Sequence, residues 1–204
     1  MIRPTRRLLL LGAAPLAGVL AWGAARAQHD DIARATAFIL AAGDELVAAI
    51  NAPDLSATRR RERVAQILRH AVDIDGVGRF ILGRWWRAAT PEQRRDYLQL
   101  FEQALIRNLA ARFGEYQGVR FSLGRTQART EQDALVSTIV ERPGSPAFAL
   151  DWRVAEVGGQ PRIVDLIAEG TSLRLTTRSE YSSVVTRNGG DVAALLTAMR
   201  RQIP

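Results

Sequence analysis

Three carboxylates in the C-terminal third, Asp151, Asp165 and Glu169, are the residues whose type and spacing could support general acid–base chemistry. They alternate with apolar residues in strand-like segments. No activating partner is visible beside them, which favours the competing reading that Asp165 and Glu169 bond to backbone or arginine at a strand end. Other chemistries find less to work with. The chain has two histidines, His29 and His70, and no cysteine, which excludes thiol catalysis and cysteine-ligated metal. His70 stands in an arginine-rich helical segment without the serine and carboxylate spacing of a triad, so a helix-surface role is expected. Gly170-Thr171-Ser172 lacks the second glycine of a nucleophile elbow. Asp73-Ile74-Asp75-Gly76 resembles the start of a calcium loop, but the remaining ligands do not follow at the required spacing. Neither a phosphate-binding glycine loop nor a metal-type histidine cluster is present, so no cofactor is expected.

The first 27 residues read as a cleaved export signal. Arg3, Arg6 and Arg7 precede an apolar run from Leu8 to Trp22, and Ala25-Arg26-Ala27 is a small-x-small cleavage site. The run is shorter than the roughly 20 residues that a membrane span needs. Thr5-Arg6-Arg7-Leu8-Leu9-Leu10 also resembles a twin-arginine signal, so either export route is open. Residues 28–204 are then a single domain. Formal charge falls on cleavage. Of the 28 basic residues, all arginine, four leave with the signal and no acid does, so 24 arginines face 21 acids, a balance of +3. That balance is too mild to argue for nucleic acid. With 47% hydrophobic residues the chain can build a full core without disulfides.

Periodicity divides the chain into helices, then strands, then helices. Ile32, Ala35, Ile39, Ala42, Leu46 and Ile50 mark an amphipathic helix over 30–51, ended by Pro53. Ser56 can cap a second helix with Val64, Ile67, Leu68 and Ala71 inward. Its front turn holds Arg59, Arg60, Arg61 and Arg63, either a solvated face or a docking surface for anionic groups. A short helix with Val77, Phe80, Ile81, Trp85 and Trp86 follows a possible Asp75 cap. Thr90-Pro91-Glu92-Gln93 then opens a long helix through a capping box, with Leu98, Phe101, Leu105 and Leu109 on one face, ending near Gly114. Beyond Gly118 the period becomes two. Val119, Phe121 and Leu123 alternate with polar residues. Ala134, Val136, Thr138 and Val140 alternate with Leu135, Ser137, Ile139 and Glu141. Phe148, Leu150, Trp152 and Val154 alternate with Ala149, Asp151 and Arg153, and the segment 162–168 makes a fourth strand. Turns are expected at Arg142-Pro143-Gly144-Ser145 and Gly158-Gly159. A helix with Leu173, Leu175, Tyr181 and Val184 follows Gly170, and Asp191 caps a last helix over 192–202. The expected fold is α+β: a four-stranded antiparallel sheet packed against about six helices.

Two separated stretches carry a resemblance. Arg79-Phe80-Ile81-Leu82-Gly83-Arg84-Trp85-Trp86-Arg87, Thr90-Pro91-Glu92-Gln93 and Phe101-Glu102 form the first. Val164-Asp165-Leu166-Ile167-Ala168-Glu169-Gly170-Thr171-Ser172-Leu173, then Arg178-Ser179-Glu180-Tyr181, form the second. Together they resemble the MlaC family of periplasmic phospholipid-binding proteins, also called the toluene- or organic-solvent-tolerance family. The resemblance implies a deep apolar pocket between sheet and helices that holds the acyl tails. It also implies a periplasmic, monomeric, non-enzymatic carrier that maintains outer-membrane lipid asymmetry. Its implied partners are a phospholipid ligand, an inner-membrane ABC transporter with an MCE-domain ring, and an outer-membrane lipoprotein complex. A hopanoid-related branch is similar too, which leaves the ligand class open. A small exported hydrolase or isomerase using the acids in the same pocket is the competing expectation.

By strand register the expected pocket wall is Phe121, Val136, Thr138, Val140, Phe148, Leu150 and Trp152. Phe80, Tyr97, Phe101 and Leu105 would face it from the helices, with Tyr181 and Val184 closing the end. Ordinary core packing is the alternative role for each. Arg79, Arg84 and Arg87 are candidates near a headgroup, in competition with ion pairs to Asp75, Asp165 or Glu169.

Overall fold

The structure, a computed structural model, describes residues 18–114, 118–128 and 133–202. Helix α1 (Gly18–Asn51) extends further back than the expected 30–51, and the expected cleavage point after Ala27 falls within continuous helical backbone. Residues 1–17 of the expected export signal lie outside the described residues. No helix among the described residues is long and apolar enough to cross a membrane. Ser56 caps α2 (Ala57–Ala71), its side chain accepting the Arg59 N–H at 3.3 Å, and the four expected inward residues are all buried.

The short aromatic helix is two helices, α3 (Ile74–Leu82) and α4 (Trp85–Ala88). Gly83 breaks it at φ +57°, a conformation that costs a residue with Cβ far more than glycine. The cap is Asp73, which accepts the Gly76 N–H at 3.1 Å, while Asp75 lies in the first turn. The Asp-rich motif is therefore a helix start, not a metal loop. In α5 (Pro91–Gly114) the capping box forms in both directions: Thr90 N–H to Gln93 Oε1 at 2.9 Å, and Gln93 N–H to Thr90 Oγ1 at 3.2 Å. Its buried residues are Tyr97 and Phe101, then Ile106 and Ala110. Of the expected stripe, only Phe101 is fully buried. The step of five from Phe101 to Ile106 turns the buried side by about 140°, because α5 serves two cores on two faces.

The sheet is an antiparallel meander in the order β1 (Arg120–Ala128), β2 (Asp133–Arg142), β3 (Ser145–Val157), β4 (Gln160–Ala168), β5 (Thr171–Ser172). The expected turns close two-residue hairpins, pairing Arg142 with Ser145 and Val157 with Gln160. Two-residue β5 was not expected, so the sheet has five strands rather than four. It is followed by α6 (Leu173–Arg187) and α7 (Val192–Gln202), making seven helices among the described residues rather than about six. Asp191 Oδ1 accepts the Ala193 N–H at 2.8 Å, as a cap should.

Two apolar clusters result. The first joins α1, α2 and the C-terminal half of α5 to the inner face of the sheet, with Val136, Leu150, Trp152 and Val154 buried in it. The second lies among α3, α5, α6 and α7, around Tyr97, Phe101, Val185 and Leu195. In α6 the fully buried residue is Val185. Leu173 and Leu175, expected inward, are 36% and 55% exposed. The link between α2 and α3 is tied to the sheet by Asp73 N–H donating to Ile163 O at 3.0 Å.

Candidate functional site

Alternation along β2 and β3 sends every second side chain toward α1, which crosses the inner face of the sheet. Between them lies a cavity of about 140 Å³. Strands supply Phe121, Thr138, Val140, Phe148, Leu150, Trp152, Ile163, Leu166 and Ala168 to its lining. From α1 come Ile39, Ala42, Gly43, Leu46, Val47 and Ile50, and from α2, α5 and α6 come Leu68, Ala71, Leu109 and Leu173. Thr138 is the polar side chain of this wall and is satisfied within it. Its Oγ1 donates to Leu150 O at 3.1 Å and accepts the Trp152 indole N–H at 2.9 Å. The lining thus offers an apolar surface with its hydrogen-bonding groups already engaged, suited to hydrocarbon and unsuited to a polar solute.

At the edge near Phe121 the wall is thin. A Cβ placed on Gly43 would lie 2.0 Å from Phe121 Cζ, so the ring rests directly on the α1 backbone. Glycine inside a helix costs about 1 kcal/mol relative to alanine, and here it permits that close approach. A second cavity of about 70 Å³ adjoins the first and shares with it Leu68, Leu109, Trp152, Ile163, Leu166 and Leu173. Its other walls include Val77, Ile81, Phe101, Leu105, Asp165, Arg174 and Thr177.

The thirteen expected pocket residues are thereby divided. Phe121, Thr138, Val140, Phe148, Leu150 and Trp152 line the larger cavity, while Phe101 and Leu105 line the smaller. Val136 is fully buried in the first cluster but is not a lining residue of either cavity. Phe80, Tyr97, Tyr181 and Val184 pack in the second cluster. There Tyr97 stacks on Phe101 at 5.9 Å between centroids, meets Tyr181 edge-on at 6.3 Å, and donates to Gly78 O at 2.9 Å. Burial holds the Tyr97 hydroxyl well above the ordinary tyrosine range, and it raises Tyr181 as well, with Glu180 adding to the shift. The α1 face was legible as an apolar stripe, but nothing local assigned it to a cavity rather than to a solid core.

The polar candidates separate in the same way. Asp165 is buried and accepts from Leu166 N–H at 2.9 Å, Ser172 Oγ at 2.6 Å and Arg174 N–H at 3.2 Å; it also forms an ion pair with Arg174. Asp151 pairs in register with Ile167, and Glu169 is exposed in the turn after β4. No group of three or more acids or histidines among the described residues is placed to hold a metal. His70 lies on the exposed side of α2, its Nδ1 2.9 Å from Gln66 O; the His29 side chain lies outside the described residues. Arg60 of the basic turn bonds to Ala52 O and Leu55 O at 3.0 and 3.2 Å, closing the loop before α2. Arg79 and Arg84 lie over the rings of Trp86 and Trp85 at 5.3 and 4.5 Å. The ion pairs among the described residues do not join Arg79, Arg84 or Arg87 to Asp75, Asp165 or Glu169.

A family model described as MlaC protein matches residues 41–201, which include nearly all of both cavity linings. The chain belongs to the MlaC family. Among solved structures it is similar to a phospholipid-binding protein from Ralstonia solanacearum, determined in complex with a phospholipid at 1.53 Å resolution. The two share 26% sequence identity and superpose with a TM-score of 0.73, over 82% of this chain and 95% of that one. In this chain the α1 stripe, read from sequence as the apolar side of an amphipathic helix, stands on the cavity wall opposite the sheet.

Proposed function

We propose that this protein is a periplasmic phospholipid carrier that takes up acyl tails between α1 and the sheet. The observation that carries the reading is the apolar cavity itself, in an MlaC chain whose Ralstonia relative was solved with a phospholipid. Each buried methylene is worth about 0.8 kcal/mol, so exposing two long tails to water costs roughly 20 kcal/mol or more. A soluble carrier must offer hydrocarbon an equally apolar surface. Transfer between bilayer and protein is then nearly balanced in free energy, and no bond has to be made or broken. The saturated hydrogen bonding of Asp165 supports a structural role for the acid best placed to compete as a catalyst.

A cavity near 150 Å³ accommodates a guest about the size of benzene, so a cavity of about 140 Å³ takes only part of an acyl chain. Loading therefore pushes the walls apart. The Phe121 contact on Gly43 is the place where this disturbs least, since β1 is an edge strand that pairs with β2 alone. In this reading residues 1–27 direct export and are cleaved, and the monomeric carrier works between an outer-membrane lipoprotein complex and an inner-membrane ABC transporter with an MCE-domain ring.

Native mass spectrometry with lipid extraction on the purified mature chain tests the proposal. A co-purifying species of phospholipid mass is expected. A protein that carries no lipid and acquires none from liposomes would overturn the reading.

A further inference from the structure

Leu68, Leu109, Trp152, Ile163, Leu166 and Leu173 line both cavities and so form the wall that the two share. Trp152 is the largest of them, and its indole N–H is the one shared side-chain group that needs a hydrogen-bond acceptor. The ring borders free space on two sides, about 140 Å³ and about 70 Å³, so packing alone does not hold it. A hydrogen bond does. The indole N–H donates to Thr138 Oγ1 at 2.9 Å, and that hydroxyl donates in turn to Leu150 O at 3.1 Å. Register makes the pair possible: Trp152 stands opposite Val136, and Thr138 follows two residues along β2 on the same face. A ring swung into the larger cavity would leave its N–H among hydrocarbon, because Thr138 is the polar side chain of that lining. Strand β3, which carries Trp152, is paired on both sides, by β2 and β4. An opening at the β1 edge therefore leaves this wall in place.

We propose that Trp152 is a specificity-determining residue: pinned by Thr138, its indole closes the smaller cavity to a tail lying in the larger one and so limits acyl-chain length. The inference rests on the lipid-carrier reading. Methylenes that the cavity accepts move from a bilayer at nearly no cost, whereas each one held out in water lowers the bound fraction by about fourfold. A cavity near 150 Å³ admits the carbons of one benzene, so the 70 Å³ across the indole amounts to roughly three methylenes. The partition thus sets a limit shorter by that amount than the two cavities joined would allow.

The test offers delipidated mature protein an equimolar set of saturated phosphatidylcholines in mixed vesicles, sharing one tail and varying the other from about 10 to about 20 carbons. Native mass spectrometry counts the bound species. Wild-type loading should fall by up to about fourfold for each methylene beyond its limit. Trp152→Leu removes the ring and strands no donor, since Thr138 keeps its bond to Leu150 O, and the limit should move roughly three carbons longer. Thr138→Val frees the indole and should move the limit the same way by less, whereas Thr138→Ser keeps the hydroxyl and should hold the wild-type limit. A merely structural role would lower loading of the variants at every length alike, and that outcome overturns the proposal. So does a wild-type profile indifferent to tail length, or one that Trp152→Leu and Thr138→Val leave where it was. In each of these cases the wild type still loads lipid and the partition alone falls. A wild type that takes up none of the set brings down the carrier reading as well.

Discussion

The two apolar clusters use similar residues and end differently. Around Tyr97 the helices close on stacked and edge-on rings, and the phenol is fully buried with its hydroxyl on a backbone carbonyl. Between α1 and the sheet, comparable side chains leave about 140 Å³ unfilled. The difference lies in what meets what. Around Tyr97 four helices, α3, α5, α6 and α7, meet one another, whereas the larger cavity lies between one helix, α1, and the inner face of the sheet. Apolar content is therefore no guide to where a pocket lies.

That contrast can be broken most directly from the closed side. Tyr97→Ala should destabilise by about 3–5 kcal/mol, as removal of a large buried ring does, with the folded fraction still taking up lipid; urea unfolding and native mass spectrometry measure the two effects. Within the first cluster, Leu150→Trp and Val136→Trp should part company. Leu150 lines the cavity, so the indole can enter free space: lipid loading should fall at least tenfold, with a stability cost of about 1 kcal/mol or less, below the usual overpacking range. Val136 is fully buried without lining it, and its indole should cost about 3 kcal/mol or more. Equal costs at the two positions would make the cavity an ordinary packing gap.

Alkaline pH sharpens the comparison further. The chain has no lysine and no cysteine, so above pH 9 its titrating side chains are tyrosines until arginine ionises. Burial raises Tyr97 and Tyr181 in the folded state above the unfolded value near 10. The unfolded phenols therefore ionise first, and their contribution is fully present below about pH 10 and lost as pH rises beyond it. The unfolding free energy from urea titrations should be flat to about pH 10 and then fall, by up to about 1.4 kcal/mol per pH unit for each tyrosine. Tyr97→Phe should make the fall shallower while Tyr181 sustains part of it. The smallest effect is expected at the thin wall. Gly43→Ala must displace the Phe121 ring, and the gain in helix propensity, about 1 kcal/mol, offsets part of the lost packing. Net stability should change by about 1 kcal/mol or less, and lipid release to acceptor vesicles should quicken several-fold.

Local chemistry made much of this molecule legible beforehand. The Ser56 cap, the Thr90–Gln93 box, both hairpins and the Asp191 cap are one-residue or four-residue devices, and each appears where its residues predict. Errors fell where a distant partner decides. Asp73 and Asp75 could each cap α3, and the bridge from Val72 to Ile163 fixes Asp73 outside the helix. The stripe expected on α5 assumed one core, and the helix has two. Leu173 and Leu175 looked inward by type, yet both are exposed, and Leu173 also lines both cavities.

The sequence by itself determined the order of elements, the capping and turn chemistry, the inward face of β2 and β3, and the two stretches that resemble MlaC proteins. Periodicity can do that because it reports which side of an element avoids water. Only the tertiary structure decided which apolar faces meet closely and which stand apart. It divided the expected pocket residues among a larger cavity, a smaller one and solid packing, and it brought Arg174 to the smaller cavity, which no spacing marks. A cavity is space between elements far apart in the chain, so no single segment encodes it.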